Sequence, residues 1–485
     1  MKLLRELLYG LDCDTIIGNT NINILNIKFN SKEVHSGDLF VAIPGTHFDG
    51  HNFILNAIDA GAIAVICENM PDIIQNKTTY IVVQNSALAL SLLAANFFDN
   101  PSKHINLIGV TGTNGKTSVV YYLFDLFKKL NYKVGLLSTI DQKIDNKSNH
   151  ATHTTPNPIE LNQALSSMVT EGCDFCFMEV SSHAIDQHRI VGLNFDIAVF
   201  TNITRDHLDY HTTFNKYINT KKSFFDSLSN QTVSVVNIDD TYGSKMLMNT
   251  DSKKVFYSIK QKAHYKASII EDNIAGLTIM IDDIQFSTQL IGAFNAYNLL
   301  TAYSVAMELG QDKMKVLQYL STVNAPPGRF DIIRSEQGVI GIVDYAHTPD
   351  ALKKVILSIS NFCSINKDLI VVVGCGGDRD RGKRSVMGKI ASENSSLAIF
   401  TSDNPRSEDP NSIIEDMCAD LSDILKNKVQ KITNRQDAII SAVQSASADS
   451  IVLVAGKGHE KFQEINNKKI PFDDIQILKK YLKHN

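Results

Sequence analysis

The chain has 485 residues, more than one hydrophobic core usually holds together, so about three domains are expected. Its 47 basic and 52 acidic residues leave a net charge of −5, which gives no electrostatic reason to expect nucleic acid or an anionic membrane as a partner. No apolar run approaches membrane-spanning length, the first residues lack a signal-peptide core, and the seven scattered cysteines fit reduced thiols. We therefore expect a cytoplasmic protein that acts as a monomer.

Two proline-containing breaks divide the chain into three segments. They fall at Pro101 and at Pro326-Pro327-Gly328, and they predict domains over residues 1–101, 102–328 and 329–485. The expected fold class is α/β, with a small mixed N-terminal domain, a central P-loop mononucleotide-binding domain with a mainly parallel sheet, and a Rossmann-like C-terminal domain.

Apolar runs of strand length alternate with helical patterns through the second and third segments, as is typical of a parallel sheet covered by helices. In the second segment we predict strands at 105–110, 133–137, 175–180, 196–201 and 233–238, with helices at 118–130 and 216–228. In the third segment we predict strands at 339–344, 369–374, 397–402 and 451–455. Because such sheets bind ligands at the carboxyl ends of their strands, polar residues there are functional candidates.

Residues 107–118 join an apolar run to a helical pattern through a glycine-rich turn, Thr111-Gly-Thr-Asn-Gly-Lys-Thr117. A strand that ends in such a turn aims backbone N–H groups and a helix N-terminus at one point, which favours polyphosphate oxygens. Lys116 adds a positive charge for the β- and γ-phosphates, and the Thr117 hydroxyl is a candidate ligand of Mg²⁺. This phosphate cradle (residues 111–118) predicts a nucleotide site; the alternative is a turn that binds nothing.

Further polar groups follow predicted strands of the second segment. Glu179 comes directly after an apolar run, and a carboxylate there is a candidate ligand of Mg²⁺. His207 and Asp209 also follow a strand, although a polar residue at such a position more often caps a helix. Lys221 and Lys222 lie on the next predicted helix, where most lysines are simply solvated.

Seven short motifs follow one another along the chain. They are Thr111-Gly-Thr-Asn-Gly-Lys-Thr117, Glu179-Val-Ser-Ser-His183, Asn202-x-x-x-Asp206-His-Leu-Asp209, Tyr217-x-x-x-Lys221, Gly292-x-Phe-Asn295-x-x-Asn298, Gly328-Arg329-Phe330 and Asp344-Tyr-Ala-His-Thr-Pro349. In this order they resemble the Mur ligases, ATP-dependent enzymes that form amide bonds in peptidoglycan precursor synthesis. The resemblance runs from about Phe29 to the C-terminal helix.

The resemblance implies an ATP site and a catalytic group. The ATP-binding residues would be Gly112, Thr113, Asn114, Gly115, Lys116, Thr117, Ser118, Asn295, Arg329 and Asp344, with Asn295 facing the adenine. Lys116, His207 and Lys221 would be catalytic, and Thr117, Glu179, His207 and Lys221 would hold Mg²⁺. In the family the lysine of Tyr217-x-x-x-Lys221 is carbamylated by CO₂, so Lys221, rather than Lys222, is the expected N6-carboxylysine. Because Arg329 and Asp344 belong to a different segment from the cradle, the cleft is expected to lie between domains.

The resemblance also implies the two other substrates. Gly376-Gly-Asp-Arg379, Asp403-Asn-Pro-Arg406 and Gly456-Lys-Gly-His-Glu460 give a narrower likeness to members that add meso-2,6-diaminopimelate to UDP-N-acetylmuramoyl-L-alanyl-D-glutamate. The nucleotide sugar and its peptide would meet Phe29, Ser31, Thr46, His47, Phe48, His153, Thr154, Thr155, Ser181, Gln187 and Arg189. The diaminopimelate would meet Arg379, Asp403, Asn404, Pro405, Arg406, Gly456 and Glu460.

Diaminopimelate differs from lysine by a second carboxylate, so a selective site needs a cation at that end. Arg406, which follows the Asn404-Pro405 turn, supplies a planar guanidinium, and Glu460 can receive the distal ammonium. Three alternatives remain: the same ligation with L-lysine, a ligase like folylpolyglutamate synthase, and a nucleotide-dependent switch without a metabolic substrate.

Overall fold

The computed structural model of the protein describes residues 1–45, 48–151, 153–360, 368–466 and 468–483. It is mixed α/β with mainly parallel sheets, which confirms the predicted fold class. The described chain forms two compact units. The first comprises Met1–Thr111, Asn131–Ala198 and Ser227–Thr232, and the second comprises Gly112–Leu130, Val199–Asp226 and Val233–Asn485.

The first hundred residues contain a five-stranded sheet with helices on both faces. The elements are β1 (Lys2–Leu3), α1 (Leu4–Leu7), β2 (Thr15–Ile17), β3 (Asn23–Ile24), β4 (Ile27–Lys28), β5 (Leu39–Val41), α2 (Ile54–Asp59), β6 (Ala64–Cys67), β7 (Thr79–Val82) and α3 (Ser86–Phe97). The strands of the sheet pair in the order β2-β7-β6-β5-β4, and only β2 runs antiparallel to its neighbour.

Strands and helices alternate from residue 106 to residue 226. The elements are β8 (Asn106–Thr111), α4 (Lys116–Lys129), β9 (Val134–Leu137), β10 (Asp141–Ile144), β11 (Lys147–His150), α5 (Pro158–Thr170), β12 (Phe175–Glu179), α6 (Ser182–Asp186), β13 (Ile197–Phe200), α7 (Leu208–His211) and α8 (Phe214–Asp226). Within the first unit, β12 lies between β8 and β9 and is parallel to both.

The next part of the second unit has three strands that pair in parallel, and the last of them begins an antiparallel meander. The elements are β14 (Val233–Asn237), α9 (Gly243–Met246), β15 (Lys253–Ser258), β16 (Tyr265–Asn273), β17 (Gly276–Ile281), β18 (Ile284–Thr288), α10 (Ala293–Glu308) and α11 (Lys313–Leu320). Strands β14, β15 and β16 pair in parallel, and β16, β17 and β18 pair antiparallel.

The rest of the second unit is built on a six-stranded sheet. The elements are β19 (Asp331–Arg334), β20 (Ile340–Asp344), α12 (Pro349–Ser360), β21 (Leu369–Val373), α13 (Arg384–Glu393), β22 (Leu397–Phe400), α14 (Pro410–Cys418), α15 (Asp423–Lys426), β23 (Val429–Lys431), α16 (Arg435–Gln444), β24 (Ile451–Ala455), β25 (Phe462–Ile465), β26 (Lys468–Pro471) and α17 (Asp474–Leu482). The strands of the sheet pair in the order β19-β20-β24-β21-β22-β23, and only β19 is antiparallel to its neighbour.

Successive side chains of a strand point to opposite faces of the sheet, so an inner strand packs against helices on both faces. In β21, Leu369, Val371 and Val373 pack into a core with α12 to α14. Ile370 and Val372 point the other way, into a core with α16 and α17. A strand buried on both faces reads as a continuous apolar run, which is why the sequence revealed it.

The predicted strands and helices of the second and third segments are confirmed, with ends that shift by one or two residues. The hairpin β10–β11, the strand β15, the meander β16–β18, the edge strands β19 and β23, and the hairpin β25–β26 were not predicted. The longest of the described helices, α10, has 16 residues, and none in this part of the chain is long and apolar enough to cross a bilayer.

A buried ion pair ties α16 to α17. Arg435 donates from Nε and Nη2 to Asp474 at 2.8 Å each, and both side chains are fully buried. We expect Asp474→Asn to remove about 3–5 kcal/mol of unfolding free energy, because it leaves the guanidinium charge buried without its counterion. Urea unfolding followed by circular dichroism measures the loss.

Glu171→Gln is the control, since Glu171 pairs with Lys147 at 2.7 Å on the surface. Exposed pairs of this kind contribute little, so this variant should unfold at the wild-type midpoint. Equal midpoints for the two variants would contradict the role given to the buried pair.

Candidate active site

The phosphate cradle connects the end of β8 to the start of α4, as predicted. Gly112 and Gly115 have φ of 150° and 89°, which side-chain-bearing residues rarely adopt. A Cβ on Gly112 would lie 2.0 Å from Thr201 Oγ1, and a Cβ on Gly115 would lie 2.7 Å from Asn298 Oδ1. The Thr201 hydroxyl in turn donates to the carbonyl of Asn114 at 2.7 Å. Only glycine therefore fits at either position without moving the loop.

The positive end of α4 and the Lys116 ammonium both serve the cradle. No side chain caps the N-terminus of α4. Lys116 Nζ donates to the carbonyls of Gly112 and Thr113 at 2.9 and 2.8 Å, so its charge lies over the loop. This arrangement suits an anion of several charges.

Arg329, predicted on the far wall, lies against the cradle within the second unit. Its Nη2 donates to Thr117 Oγ1 at 3.1 Å, and its guanidinium lies 4.3 Å from the centre of the Tyr345 ring. The carboxylate of Asp344 accepts the backbone N–H groups of Phe330 and Ala346 at 2.7 Å each. Burial raises the pKa of Asp344, and the charge of Arg329 opposes that rise.

Asn295 is buried at the start of α10. Its Oδ1 accepts the hydroxyl of Tyr122 on α4 at 2.9 Å, and its Nδ2 donates to the carbonyl of Ile291 at 2.8 Å. The residue thus joins α10 to α4, and its contact with an adenine stays a prediction.

Lys221 and Lys222 occupy different environments on α8. Lys221 is 1% exposed, and its Nζ lies 5.0 Å from the centre of the Tyr217 ring. Burial lowers the pKa of Lys221 well below its usual value, and the charge of Lys116 lowers it further, although Asp206 opposes the shift. Lys222 instead forms an ion pair with Asp226, 2.7 Å from Oδ2. Burial thus favours, at Lys221, the neutral amine that carbamylation requires.

The loop after β13 brings charged groups together. Burial would raise the pKa of Asp206, but the charges of His207, His347 and two lysines lower it to about 2. His207 Nε2 lies 3.3 Å from Asp206 Oδ2. On α7, which follows this loop, Asp209 lies 3.9 Å from Arg379. Asp206 belongs to a sequence motif, but the sequence predicted no role for it.

No three His, Cys, Asp or Glu side chains gather as a ready metal site in the described residues. The Thr117 hydroxyl is nonetheless an oxygen donor of the kind that Mg²⁺ takes, and a carbamate on Lys221 would add two further oxygens. In the first unit, Glu179 is buried at the end of β12, and its Oε1 accepts the N–H of Thr139 at 2.7 Å.

The predicted diaminopimelate residues lie at the carboxyl edge of the six-stranded sheet, within the second unit. Asn404 Nδ2 donates to Glu460 Oε2 at 2.9 Å. Arg406 has a φ of 51°; its Nη1 donates to the carbonyl of Gly377 at 2.8 Å, and its Nε lies 3.0 Å from Glu464. The Asp403 carboxylate is buried beside Gly456, where a Cβ would lie 2.6 Å from Asp403 Oδ2.

A buried arginine that the sequence did not single out joins two of these loops. Arg384 is 1% exposed and makes two hydrogen bonds to Glu408, at 2.8 and 3.0 Å. Glu408 also accepts the N–H of Asp378 at 2.6 Å, and Gly377 N–H donates to the carbonyl of Asn404 at 2.9 Å. Hydrogen bonds from Arg384 lower the pKa of Glu408 to about 2.

Several residues predicted to hold the muramoyl-peptide lie together in the first unit. Thr155 Oγ1 donates to the carbonyl of Glu179 at 2.8 Å and accepts the N–H of Ser181 at 3.1 Å. Arg189 donates to the carbonyl of Thr155 at 2.8 Å and to Gln187 Oε1 at 2.6 Å. Thr154, which accepts the hydroxyl of Thr139, and His153 precede this cluster.

Three of the predicted uridine contacts, Phe29, Ser31 and Phe48, lie in segments that connect elements of the first hundred residues, away from the Thr155 cluster in sequence. Phe29 follows β4, Ser31 opens a short helical turn, and Phe48 is 76% exposed between β5 and α2. Thr46 and His47 lie outside the described residues. Their contacts with a ligand stay predictions.

Three models of known protein families match the chain. The model described as "Mur ligase family, catalytic domain" matches residues 23–98, "Mur ligase middle domain" matches 110–306, and "Mur ligase, glutamate ligase domain" matches 328–458. The chain belongs to the Mur ligase family.

One relative, the UDP-N-acetylmuramoyl-L-alanyl-D-glutamate–2,6-diaminopimelate ligase of Cytophaga hutchinsonii, is 48% identical over 480 residues, 99% of each chain. A solved structure of a ligase of the same name is 30% identical, with a TM-score of 0.69 over 99% of this chain and 98% of the other. The solved structure of a folylpolyglutamate synthase from Mycobacterium tuberculosis shares the fold at 18% identity, with a TM-score of 0.62. That match covers only 76% of this chain, although it covers 92% of the synthase.

We expect Gly112→Ala to weaken binding of a non-hydrolysable nucleoside triphosphate by about ten- to a hundredfold. The added Cβ would displace Thr201 or the loop, at about 1–3 kcal/mol. Isothermal titration calorimetry measures the affinity.

Gly310→Ala is the matched control, because Gly310 also has a positive φ of 72° but nothing lies within 4 Å of the added Cβ. It should share the backbone strain and keep the wild-type affinity. Wild-type affinity in Gly112→Ala would show that the cradle does not hold the phosphates.

Proposed function

We propose that this protein joins meso-2,6-diaminopimelate to UDP-N-acetylmuramoyl-L-alanyl-D-glutamate and converts ATP to ADP and phosphate. The observation that carries the proposal is the set of strand-end loops in the second unit, where Asn404, Arg406 and Glu460 lie on the same sheet edge as Asp344. The full-length relatives named for this reaction support it, as does a phosphate cradle in contact with Arg329.

The chemistry explains why ATP is needed. A carboxylate and an amine form a salt at neutral pH, so the carbonyl needs a leaving group before an amide can form. The side-chain carboxylate of D-glutamate attacks the γ-phosphorus of ATP, which gives an acyl phosphate and releases ADP. The amine of diaminopimelate then adds to that carbonyl, and the tetrahedral intermediate expels phosphate as the nitrogen loses a proton.

The protein contributes charge and position in this reaction. Two anions must approach each other, and Lys116, Arg329 and the N-terminus of α4 supply positive charge where the phosphates lie. No nucleophilic side chain is required.

We propose that Thr117, His207 and a carbamylated Lys221 hold Mg²⁺, and that Glu179 is a further ligand. When bound, the ion would neutralise phosphate charge. The neutral Lys221 amine can add to CO₂, which forms an N–C bond and releases one proton, so a buried amine becomes an anion. The low pKa of Lys221 supports this assignment.

We expect Lys221→Ala to lower kcat by about 10- to 100-fold or more, as loss of a metal-supporting group does. Acetate should partly restore the rate by replacing the lost carboxylate, and ¹³C-bicarbonate should give a carbamate signal in the wild type but not in Lys221→Ala. Phosphate release in the presence of both co-substrates measures the rate.

Lys222→Ala is the control, because Lys222 is already neutralised by Asp226, and it should keep its activity and its carbamate signal. Full activity of unsupplemented Lys221→Ala would exclude the carbamate.

Arg406 and Arg379 are proposed to bind the distal carboxylate of diaminopimelate, and Glu460 and the Gly456 carbonyl its ammonium. Lysine lacks that carboxylate. The remaining predicted contacts, from Phe29 to Arg189, are proposed for the nucleotide sugar and peptide. Domains over 1–101, 102–328 and 329–485 are proposed as well, supported by the three family-model matches. We further propose that the enzyme acts as a monomer in the cytoplasm, where ATP is available.

A mixture of lysine and diaminopimelate tests the amino-acid choice. With ATP and the UDP-muramoyl dipeptide, the wild type should yield only the diaminopimelate product by mass spectrometry. Arg406→Ala should raise the KM for diaminopimelate about ten- to a hundredfold, the loss expected for a hydrogen bond to a charged group.

Arg334→Ala, which removes an arginine on β19, should leave that KM unchanged. A lysine product, an unchanged KM in Arg406→Ala, or ATP turnover without either co-substrate would each contradict the proposed function.

A further inference from the structure

Lys457 is a fully buried charge that the reaction described above does not use. It follows β24, between Gly456 and Gly458, whose φ values are 116° and 53°. Its Nζ donates to Asn404 Oδ1 at 2.9 Å and to Glu460 Oε2 at 2.7 Å. Burying an ammonium is costly unless it is paired, so these two bonds are what keep it there.

The lysine fixes which way the Asn404 amide points. Asn404 Oδ1 accepts both Lys457 Nζ and the backbone N–H of Glu464, each at 2.9 Å, so both of its lone pairs are occupied. The amide nitrogen must then face the opposite side, where it donates one hydrogen to Glu460 Oε2 at 2.9 Å. Among the residues that the structure describes, none accepts the second hydrogen, so Asn404 has a donor available for a ligand.

The same lysine determines which oxygen Glu460 offers. Oε2 accepts from both Lys457 and Asn404. Oε1 accepts no hydrogen bond from the residues that the structure describes, and the side chain is 20% exposed. Lys457 and Arg435 both lie near the buried carboxylate of Asp403, and Arg435 is paired with Asp474. These two cations face three carboxylates, those of Asp403, Glu460 and Asp474, so one negative charge remains and a ligand cation is still favoured.

We propose that Lys457 is a positioning residue that sets the polarity of this end of the site. It turns a donor of Asn404 toward the carboxylate, and an oxygen of Glu460 toward the ammonium, of the distal amino-acid group of the substrate. The inference rests on the proposed function and deepens it, because it explains how the site reads both charges of that group.

Lys457→Met tests the role. We expect the KM for diaminopimelate to rise about tenfold or more, while kcat and the KM values for ATP and the UDP-muramoyl dipeptide change less than about twofold. Lys431→Met removes an exposed lysine paired with Glu415 and should change none of these constants. An unchanged KM for diaminopimelate, or an equal rise in all three KM values, would overturn the proposal, since an equal rise indicates only a structural role.

The variant Lys457→Met/Glu460→Gln keeps the test valid if Lys457→Met alone fails to fold, because it removes one charge of each sign. If Lys457 acts through Asn404 and Glu460, adding Asn404→Ala to this variant should give a KM for diaminopimelate no higher than that of Asn404→Ala/Glu460→Gln. A further rise caused by Lys457→Met in that background would overturn the proposal. If the wild type adds lysine instead, the proposed function fails, but Lys457→Met must still raise the KM of the amino acid that is added.

Discussion

The inner strands of the six-stranded sheet are buried on both faces, so they have no surface on which a polar group can face solvent. Parallel pairing of β20, β24, β21 and β22 then brings their carboxyl ends to one edge. The polar side chains that could bind a ligand at this sheet therefore have to lie on the loops at that edge. These loops are short, and hydrogen bonds between neighbouring loops hold them in place. The phosphate cradle follows the same rule, because it begins where β8 ends.

Burial decides the charge state of the groups on these loops. Arg384 stays charged because it bonds to Glu408 and Asp416, and Arg435 because it pairs with Asp474. At Lys221, burial and the nearby Lys116 favour the neutral form. Buried Lys457, by contrast, donates to Asn404 and to the carboxylate of Glu460.

Much of the fold could be predicted because buried strands leave apolar runs of the right length in the sequence. The meander from Tyr265 to Thr288 was missed because its strands are only partly buried, so polar residues interrupt the pattern. For the site, the cradle and Asn404, Arg406 and Glu460 were found through motifs. Arg384 and Lys457 were missed, since a sequence does not show that a charged side chain is buried or which distant residue neutralises it. For Lys457, the flanking glycines were the available signal.

Arg384 and Glu408 hold the loop 376–379 and the turn 403–406 as one piece. The fit is close as well, because a Cβ on Gly377 would lie 1.9 Å from the carbonyl of Pro405. Neither loop can change shape without the other. If these loops bind the amino acid as proposed, a change of selectivity requires both loops to be replaced together, because an exchange at Arg406 alone leaves the shape of the paired loop unchanged.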